Sequence, residues 1–300
     1  MVETTDEWIR TRTGISERRI AEKGVGTSEY ASRAAIKALE RAGMKASELD
    51  LIIAATTTPD MPLPSCACFI QQKIGATKAA AFDLAAACSG FVYALVTAEQ
   101  FIRGGTYKNV LVIGADVITP YIDWTDRGTC VLFGDGAAAA VLTPVKTGGI
   151  LSSVLGSDGQ HADLLKIDCG GSRNPASHES VERKGHYLQM SGGEVFKLAV
   201  RGMSDAVIES LKKAGIRSDE IACFVPHQAN LRIIDAVAER LKLPKEKIFI
   251  NLQKYGNTSA ASCAIALCEA VEQGRIKKHD KIVIATFGSG LVWGAMVMEW

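Results

Sequence analysis

Hydrophobic and polar positions along the chain follow two patterns, an amphipathic one typical of helices and short continuous apolar runs typical of buried strands. Residues 27–43 open with Thr, continue with strong helix formers and end at a glycine, which predicts a helix. The apolar run 49–59 that follows predicts a buried strand. The rest of the first half contains predicted helices at 65–75 and 90–105 and predicted strands at 79–90, 109–119 and 137–145.

After about residue 145 a similar alternation returns. It contains predicted strands at 150–159, 221–229, 281–290 and 291–300, a strand and loop at 248–260, and predicted helices at 194–215, 230–243 and 262–274. Two short motifs recur in the same order: AGM at 42–44 matches AGI at 214–216, and FGDG at 133–136 matches FGSG at 287–290, where each opens a final strand. Such echoes occur in many α/β proteins, but matched motifs in the same order favour duplication. We therefore predict an α/β fold of two similar halves, 1–145 and 146–300, with two sheets packed through shared helices.

The two predicted halves differ at their beginnings. The second half opens with the strand 150–159, whereas the corresponding part of the first half, 7–26, is polar and charged. Either the first half does without this strand or the sequence begins inside the natural protein. We favour the second interpretation and expect the first sheet to lack its first strand.

Composition excludes several classes of protein. A chain of 300 residues that is 47% hydrophobic can bury a large core. The net charge of +1 argues against a nucleic-acid-binding protein. No run of about 18 apolar residues predicts a membrane span, and no signal peptide is recognisable. A chain this long is stable without disulfides and most of its eight cysteines lie in apolar runs, so we expect reduced thiols and a cytoplasmic location. The cysteines lack the spacing of metal ligands, so we expect no metal.

Cys88 is the candidate nucleophile because it lies where an apolar strand changes into a helix, in the sequence FDLAAACSG at 82–90. The positive end of a helix dipole favours negative charge, which predicts a lowered pKa for this thiol. Its small neighbours leave room for a thioester to approach. A lone cysteine in apolar surroundings is more often an inert core residue. On these grounds alone both interpretations of Cys88 stay open.

Three further candidate groups follow predicted strands of the second half. His227 ends a buried strand in VPHQAN, Asn257 follows a glycine in KYGNTSA, and Gly288 lies in FGSG. Loops at strand ends carry function in α/β sheets, and a glycine-loop N–H can stabilise an oxyanion. A locally hydrogen-bonded histidine, an ordinary Gly-Asn turn and a hairpin turn are the respective alternatives.

Taken together, these pieces resemble the β-ketoacyl-acyl-carrier-protein synthase III family, within the thiolase superfamily. The resemblance spans essentially the whole chain and includes TDEWIRTRTGISERR, DLAAACSGFVYAL, GDGAAAAVL, GGEVFKLAV, VPHQANLRI, KYGNTSAAS and FGSGLVWGA. It implies a thiolase-like fold in which two mixed sheets pack around shared helices in α-β-α-β-α layers. The family also has a strand ahead of the DEWI segment, which is missing from this sequence.

The resemblance implies a role for residues in each of these motifs. Cys88, His227 and Asn257 would form a Cys-His-Asn triad, in which Cys88 is acylated and Asn257 points to the initiating subfamily. The N–H groups of Cys88 and Gly288 would form the oxyanion hole. The residues implied to bind coenzyme A are Thr4, Trp8, Arg12, Arg127, Gly192 and Asn230. Those implied to line the acyl pocket are Leu63, Leu132, Phe133, Phe196 and Phe287, and those implied to bind the acidic carrier protein are Lys197 and Arg232.

The implied reaction is a decarboxylative Claisen condensation that initiates fatty acid synthesis. An acyl group, most simply acetyl, would pass from acyl-coenzyme A through Cys88 to malonyl-acyl-carrier-protein, with release of CO₂ and coenzyme A. No metal or nicotinamide is required, and the partners are these two substrates and a second copy of the chain in a homodimer. In family dimers the position of Leu63 reaches the partner's acyl pocket and is often aromatic.

Three other functions are alternatives to this one. A polyketide or secondary-metabolite starter enzyme, or a hydroxymethylglutaryl-coenzyme A synthase, would use the same nucleophile with a different acceptor. A non-catalytic acyl-binding relative would usually lack the cysteine. A dinucleotide oxidoreductase is disfavoured because no G-x-G-x-x-G follows the first predicted strand.

Overall fold

The computed structural model describes residues 2–300. They form ten α-helices: α1 (Asp6–Thr13), α2 (Thr27–Ala42), α3 (Cys66–Ile74), α4 (Gly90–Arg103), α5 (Arg127–Cys130), α6 (His178–Glu182), α7 (Gly192–Ala214), α8 (Leu231–Leu241), α9 (Leu252–Tyr255) and α10 (Ala261–Glu272). They also form ten strands: β1 (Leu51–Ala55), β2 (Ala80–Leu84), β3 (Val110–Asp116), β4 (Gly136–Leu142), β5 (Gly149–Ser157), β6 (Leu165–Ile167), β7 (Leu188–Met190), β8 (Cys223–Pro226), β9 (Lys281–Gly288) and β10 (Val292–Glu299).

Eight of the strands form two mixed sheets of related topology. The first sheet has the order β2-β1-β3-β4, in which β2, β1 and β3 are parallel and β4 is antiparallel to β3. The second has the order β5-β10-β9-β8, in which β8 and β9 are parallel and β10 is antiparallel to both of its neighbours. Beside β8, Phe224 forms a parallel bridge with Ile248, where the first sheet has β2 beside β1. The duplication of the chain stays a prediction, which this correspondence supports.

The two sheets differ in what lies on the outer side of their antiparallel strands, β4 and β10. In the second sheet, β10 pairs on its outer side with β5. In the first sheet, β4 pairs with β3 and has no second strand partner within residues 2–300. This part of the chain therefore holds no counterpart of β5 in the first sheet.

Several segments differ from the sequence-based expectations. The polar stretch before α2 contains α1, where the Thr5 hydroxyl accepts a hydrogen bond from the Trp8 N–H (3.1 Å) and Gly14 ends the helix with φ of 81°. Among the residues of α1 only Thr13 is buried, so no apolar stripe indicates this helix. The strand predicted within 248–260 is reduced to isolated bridges at Ile248 and Asn257, because the chain turns into α9 between them. The two-stranded sheet of β6 and β7 was not predicted.

The helices form three layers around the two sheets. Helices α4 and α10 lie between the sheets and contact both of them, burying Leu95 of α4 together with Ile53 of β1 and Ile284 of β9. Helices α2 and α3 cover the outer face of the first sheet, and α7 and α8 cover that of the second. This α-β-α-β-α order confirms the predicted fold class. None of the helices in the described part of the chain has the length and apolar character to cross a bilayer.

The carboxylate of Asp116, at the end of β3, joins the two halves. It is completely buried. Its Oδ1 accepts hydrogen bonds from backbone and hydroxyl donors of the loop 56–58, at 2.8–3.3 Å. Its Oδ2 accepts the N–H of Ala260, from the second half, at 3.0 Å. Since Ala260 follows Asn257 by three residues, this bond fixes the loop that carries a candidate site residue.

We predict that Asp116→Ala lowers the free energy of unfolding by about 3 kcal/mol, because several buried donors lose their acceptor at once. The control is Asp163→Ala, which removes a carboxylate whose side chain is 87% exposed beside Lys166. This surface pair is screened by solvent, so its removal should change the free energy of unfolding far less than Asp116→Ala does. Urea denaturation of both variants measures the difference, and equal losses of stability would contradict the role given to Asp116.

Candidate active site

A cavity of about 550 Å³ opens beside the carboxyl ends of β8 and β9 and the turn that follows β2. Cys88, His227, Asn257 and Gly288 all line it and are all buried. The structure thus brings together four groups that are far apart in the sequence and come from both halves. The other sequence-predicted site residues that line this cavity are Trp8, Arg12, Arg127, Leu132, Phe133, Gly192, Phe196, Lys197, Asn230, Arg232 and Phe287.

Cys88 is held in a tight turn between β2 and α4. The turn is a single 3₁₀ turn over Ala87–Ser89, and Ala87 adopts the left-handed conformation with φ of 45°. Side chains other than glycine adopt this conformation at a cost of about 1 kcal/mol or more, and such residues cluster at functional sites. Gly288 packs directly against this turn, since a Cβ at Gly288 would lie 2.7 Å from the Cys88 nitrogen. The two candidate oxyanion-hole residues are therefore in contact.

Burial raises the pKa of the Cys88 thiol to about 12, and the nearby Asp116 carboxylate acts in the same direction. A hydrogen bond with the Ser259 hydroxyl, 3.6 Å from Sγ, acts in the opposite direction. The sequence-based expectation of a lowered pKa was therefore wrong in direction. Cys88 is only 7% exposed, and the loss of solvation is the largest cause of the shift, although α4 begins two residues later. The thiol is protonated at neutral pH.

His227 extends β8 by one residue, and its N–H donates to the Ala285 carbonyl of β9 at 2.7 Å. On the ring, Nδ1 lies 2.5 Å from the Ser262 hydroxyl of α10. Within residues 2–300, Nε2 has no hydrogen-bond partner, so it is the ring nitrogen that a molecule in the cavity can meet. Burial lowers the pKa of the imidazole to about 4, and the ring is neutral at neutral pH.

Asn257 is fixed by backbone bonds to the first half. Its N–H donates to the Leu132 carbonyl at 2.8 Å, and its carbonyl accepts the Gly134 N–H at 3.0 Å. Its side-chain Oδ1 accepts the N–H of Ser259 at 2.9 Å. Because this bond occupies Oδ1, and Nδ2 has no partner in the described part of the chain, the amide offers its NH₂ group to the cavity.

Basic and aromatic side chains pair along the exposed part of the cavity. The Arg127 guanidinium lies 4.8 Å from the Trp8 ring centroid, and it also donates to the Glu3 carbonyl at 3.3 Å. The Arg232 guanidinium lies 5.7 Å from the ring of Phe196. Such pairs suit an adenine ring and phosphates, because guanidinium groups stack on planar rings and bind phosphate oxygens in bidentate fashion.

Two of the sequence-predicted site residues do not line the cavity. Thr4 precedes α1, and its hydroxyl is buried without a hydrogen-bond partner in the structure. Leu63 is 83% exposed on the loop between β1 and α3. Side chains that act on the site residues were missed, namely Ser259, Ser262 and Asp116. The first two lie within the NTSAAS sequence that follows Gly256, so the motif that located Asn257 also contained them.

All eight cysteines have free thiols. No three His, Cys, Asp or Glu side chains among residues 2–300 cluster in a way that could hold a metal ion. The candidate site therefore consists of a buried thiol, an imidazole, a carboxamide and backbone N–H groups.

Comparison with known proteins gives consistent matches. Residues 82–159 match the family model described as 3-oxoacyl-[acyl-carrier-protein (ACP)] synthase III, and residues 211–300 match the model of its C-terminal part. The chain is 55% identical to beta-ketoacyl-[acyl-carrier-protein] synthase III of Caldanaerobacter subterraneus subsp. tengcongensis, covering 100% of this chain and 91% of the relative.

Two solved structures have the same fold over essentially the whole chain. The 3-oxoacyl-[acyl-carrier-protein] synthase III of Aquifex aeolicus superposes with a TM-score of 0.93 at 48% identity, covering 100% of this chain and 92% of the other. The priming beta-ketosynthase of the R1128 polyketide biosynthetic pathway superposes with a TM-score of 0.92 at 37% identity, covering 99% and 89%.

The raised pKa of Cys88 predicts how its reactivity depends on pH. Alkylation by iodoacetamide requires the thiolate, so the rate at Cys88 should rise about tenfold per pH unit from pH 7 to pH 10 without levelling off. Peptide mass spectrometry measures the rate at Cys88 separately from that at the exposed Cys68, which serves as the internal control. A plateau near pH 7, as expected for a thiol activated by a helix dipole, would contradict the direction of the shift.

Proposed function

The chain belongs to the 3-oxoacyl-[acyl-carrier-protein] synthase III family of condensing acyltransferases, and on this premise we propose which reaction its cavity performs. Cys88 takes an acyl group from acyl-coenzyme A and passes it to malonyl-acyl-carrier-protein, the step that initiates fatty acid synthesis. The observation that carries the proposal is the meeting of Cys88 with the unpartnered nitrogens of His227 and Asn257 in one cavity. One nucleophile and two N–H donors are the groups that acyl transfer followed by decarboxylation requires.

In the first half-reaction the Cys88 sulfur bonds to the thioester carbonyl carbon of the acyl-coenzyme A. The carbonyl oxygen becomes an oxyanion, and the N–H groups of Cys88 and Gly288 stabilise it. The bond between this carbon and the coenzyme A sulfur then breaks. The thiol proton of Cys88 leaves with coenzyme A, so the enzyme carries a neutral thioester.

In the second half-reaction malonyl-acyl-carrier-protein occupies the same cavity and loses CO₂. The electron pair of the broken C–C bond moves into the thioester as an enolate, whose oxygen meets the Asn257 NH₂ group and the His227 ring. The enolate carbon attacks the acyl-Cys88 carbonyl, and the bond from this carbon to the Cys88 sulfur breaks. A proton from solvent restores the thiol, and the product is a β-ketoacyl carrier protein. No metal or nicotinamide takes part in these steps.

The residues that line the cavity and its mouth are suited to the proposed substrates. Trp8, Arg12 and Arg127 provide an aromatic ring and two guanidinium groups for the adenine and phosphates of coenzyme A. Gly192 and Asn230 lie along the proposed pantetheine channel, although the Asn230 Oδ1 is already occupied by the Arg232 N–H at the start of α8. The exposed Lys197 and Arg232 provide positive charge for an acidic carrier protein. Leu132, Phe133, Phe196 and Phe287 provide the apolar walls around the acyl group.

The edge of the first sheet supports a homodimer. Strand β2 is an edge strand whose Phe82 and Leu84 are only partly buried, and such edges are normally covered. Leu63 lies largely exposed on the loop that connects β1 to α3. A second copy packed on β2 would bury this edge and would take Leu63 toward the partner's acyl pocket. Because all the thiols are free, we place the enzyme in the reducing cytoplasm.

We predict that incubation with acetyl-coenzyme A adds one acetyl group to the protein, detected as an intact-mass increment on Cys88. Cys88→Ala should abolish the increment, whereas Cys263→Ala, which removes another buried thiol of the core, should retain it. A panel of acyl-coenzyme A thioesters then identifies the preferred primer. Acetylation that persists in Cys88→Ala would overturn the assignment of the nucleophile.

The same assay separates the proposed function from polyketide priming, which the R1128 priming ketosynthase makes the second candidate. The acyl-enzyme is offered malonyl-acyl-carrier-protein or malonyl-coenzyme A in parallel. We expect a β-ketoacyl product on the carrier protein. A preference for a longer primer and for the carrier protein of a polyketide pathway would favour the second candidate.

Asn257→Ala should separate the two half-reactions. Acylation of Cys88 should stay within about threefold of wild type, because the Asn257 side chain takes no part in it. Decarboxylation of the malonyl thioester should slow by about 10²-fold, the loss typical for one oxyanion donor. Release of labelled CO₂ measures decarboxylation, and an unchanged rate would remove Asn257 from the proposed role.

A further inference from the structure

The hydroxyl of Ser262 is the only side-chain group within residues 2–300 that forms a hydrogen bond with the His227 ring. Ser262 lies in the first turn of α10 and is 2% exposed. Its Oγ is 2.5 Å from His227 Nδ1 and also accepts the N–H of Gln228 at 3.4 Å. The contact joins α10 to the loop that follows β8, so it fixes the ring with respect to the cavity.

The direction of this hydrogen bond follows from counting donors and acceptors. A serine hydroxyl has one proton to donate and two lone pairs to accept with. The Gln228 N–H already points to one lone pair of Ser262, and His227 Nδ1 is the strong acceptor within reach of the Ser262 proton. The neighbouring Cys263 sulfur, which also forms a hydrogen bond with Ser262, is a weak acceptor by comparison. By contrast, Ser32 of α2, which is also buried, donates to the Ser28 carbonyl one turn earlier. A Ser262 hydroxyl without an acceptor would cost the free energy of an unsatisfied buried donor.

Since the buried ring is neutral, it holds one proton that can lie on either nitrogen. When Nδ1 accepts the Ser262 hydroxyl proton, the ring proton must lie on Nε2. We propose that Ser262 is a positioning residue that fixes the Nε2–H tautomer of His227. This inference rests on the proposed function and extends it, because it states which nitrogen donates to the enolate and what places the proton there.

The assignment has a consequence for each half-reaction. An imidazole with its proton on Nε2 can donate a hydrogen bond into the cavity beside the Asn257 NH₂ group, which suits the developing negative charge of the enolate. The same nitrogen has no free lone pair, so it cannot take the Cys88 proton. Ser262 should therefore affect decarboxylation and leave acylation nearly unchanged.

Long-range ¹H–¹⁵N correlation spectra of ¹⁵N-histidine-labelled protein at pH 7 test the tautomer directly. The chain has five histidines, and the spectrum of His227→Asn identifies the signals of His227. We expect a protonated Nε2 and an unprotonated Nδ1 in the wild type. In Ser262→Ala both nitrogens should shift toward intermediate values, because the tautomers then exchange. In Ser32→Ala, the matched control in α2, the His227 signals should stay at their wild-type positions.

The kinetic test compares the same variants with Ser262→Thr, which keeps a hydroxyl. Ser262→Ala should slow decarboxylation about tenfold while acylation of Cys88 stays within about twofold, and Ser262→Thr should recover most of the loss. A proton on Nδ1 in the wild type, or an unchanged tautomer in Ser262→Ala, would overturn the inference. Failure of the wild type to acylate Cys88 would refute the proposed function, and the tautomer measurement would stand apart from that outcome.

Discussion

The buried carboxylate of Asp116 is the interaction on which the geometry of the cavity depends. Asp116 is the last residue of β3, in the first half. Its carboxylate accepts hydrogen bonds from donors of the loop 56–58 and from the Ala260 N–H of the second half. The loop that ends at Ala260 also contains Asn257, which lines the cavity, and Ser259, whose hydroxyl forms a hydrogen bond with the Cys88 sulfur. A charge without solvent needs several donors, and here the donors come from both halves. The fold therefore couples the stability of the contact between halves to the position of the candidate catalytic groups.

Close approach of backbones completes this arrangement. A Cβ at Gly114 would lie 2.5 Å from the Ala260 carbonyl oxygen, and one at Gly288 would lie 2.7 Å from the Cys88 nitrogen. Larger residues at these two positions would push the loops of the second half away from β3 and from the nucleophile. The small residues around the site are therefore needed for packing as well as for access of a thioester.

Burial shifts the protonation of the two titratable groups of the site in opposite directions, and both become neutral. The pKa of Cys88 rises and that of His227 falls, because a charged form loses solvation in each case. Negative charge that develops on a substrate oxygen then meets N–H donors in a cavity of low polarity, where each hydrogen bond is stronger than in water. The site can therefore stabilise the oxyanion and the enolate without carrying a charge of its own.

The sequence by itself determined the α/β class, most of the elements and the candidate reacting groups. Hydrophobic periodicity is local, so helices such as α2 and strands such as β9 could be predicted from their own residues. The motif around Cys88 placed the thiol at a strand-to-helix turn, which the structure contains. Helix α1 was not predicted because its residues are mostly polar and form no apolar stripe.

Only the tertiary structure decided which groups meet and in which protonation state. The strand expected within 248–260 is replaced by isolated bridges at Ile248 and Asn257, since tertiary packing outweighs local propensity there. The direction of the Cys88 pKa shift depends on burial by chain segments that are distant in sequence. The bond between Ser262 and His227 likewise joins residues 35 positions apart. Solvation and hydrogen-bond partners are properties of the folded surroundings, and the local sequence pattern from which the elements were predicted does not contain them.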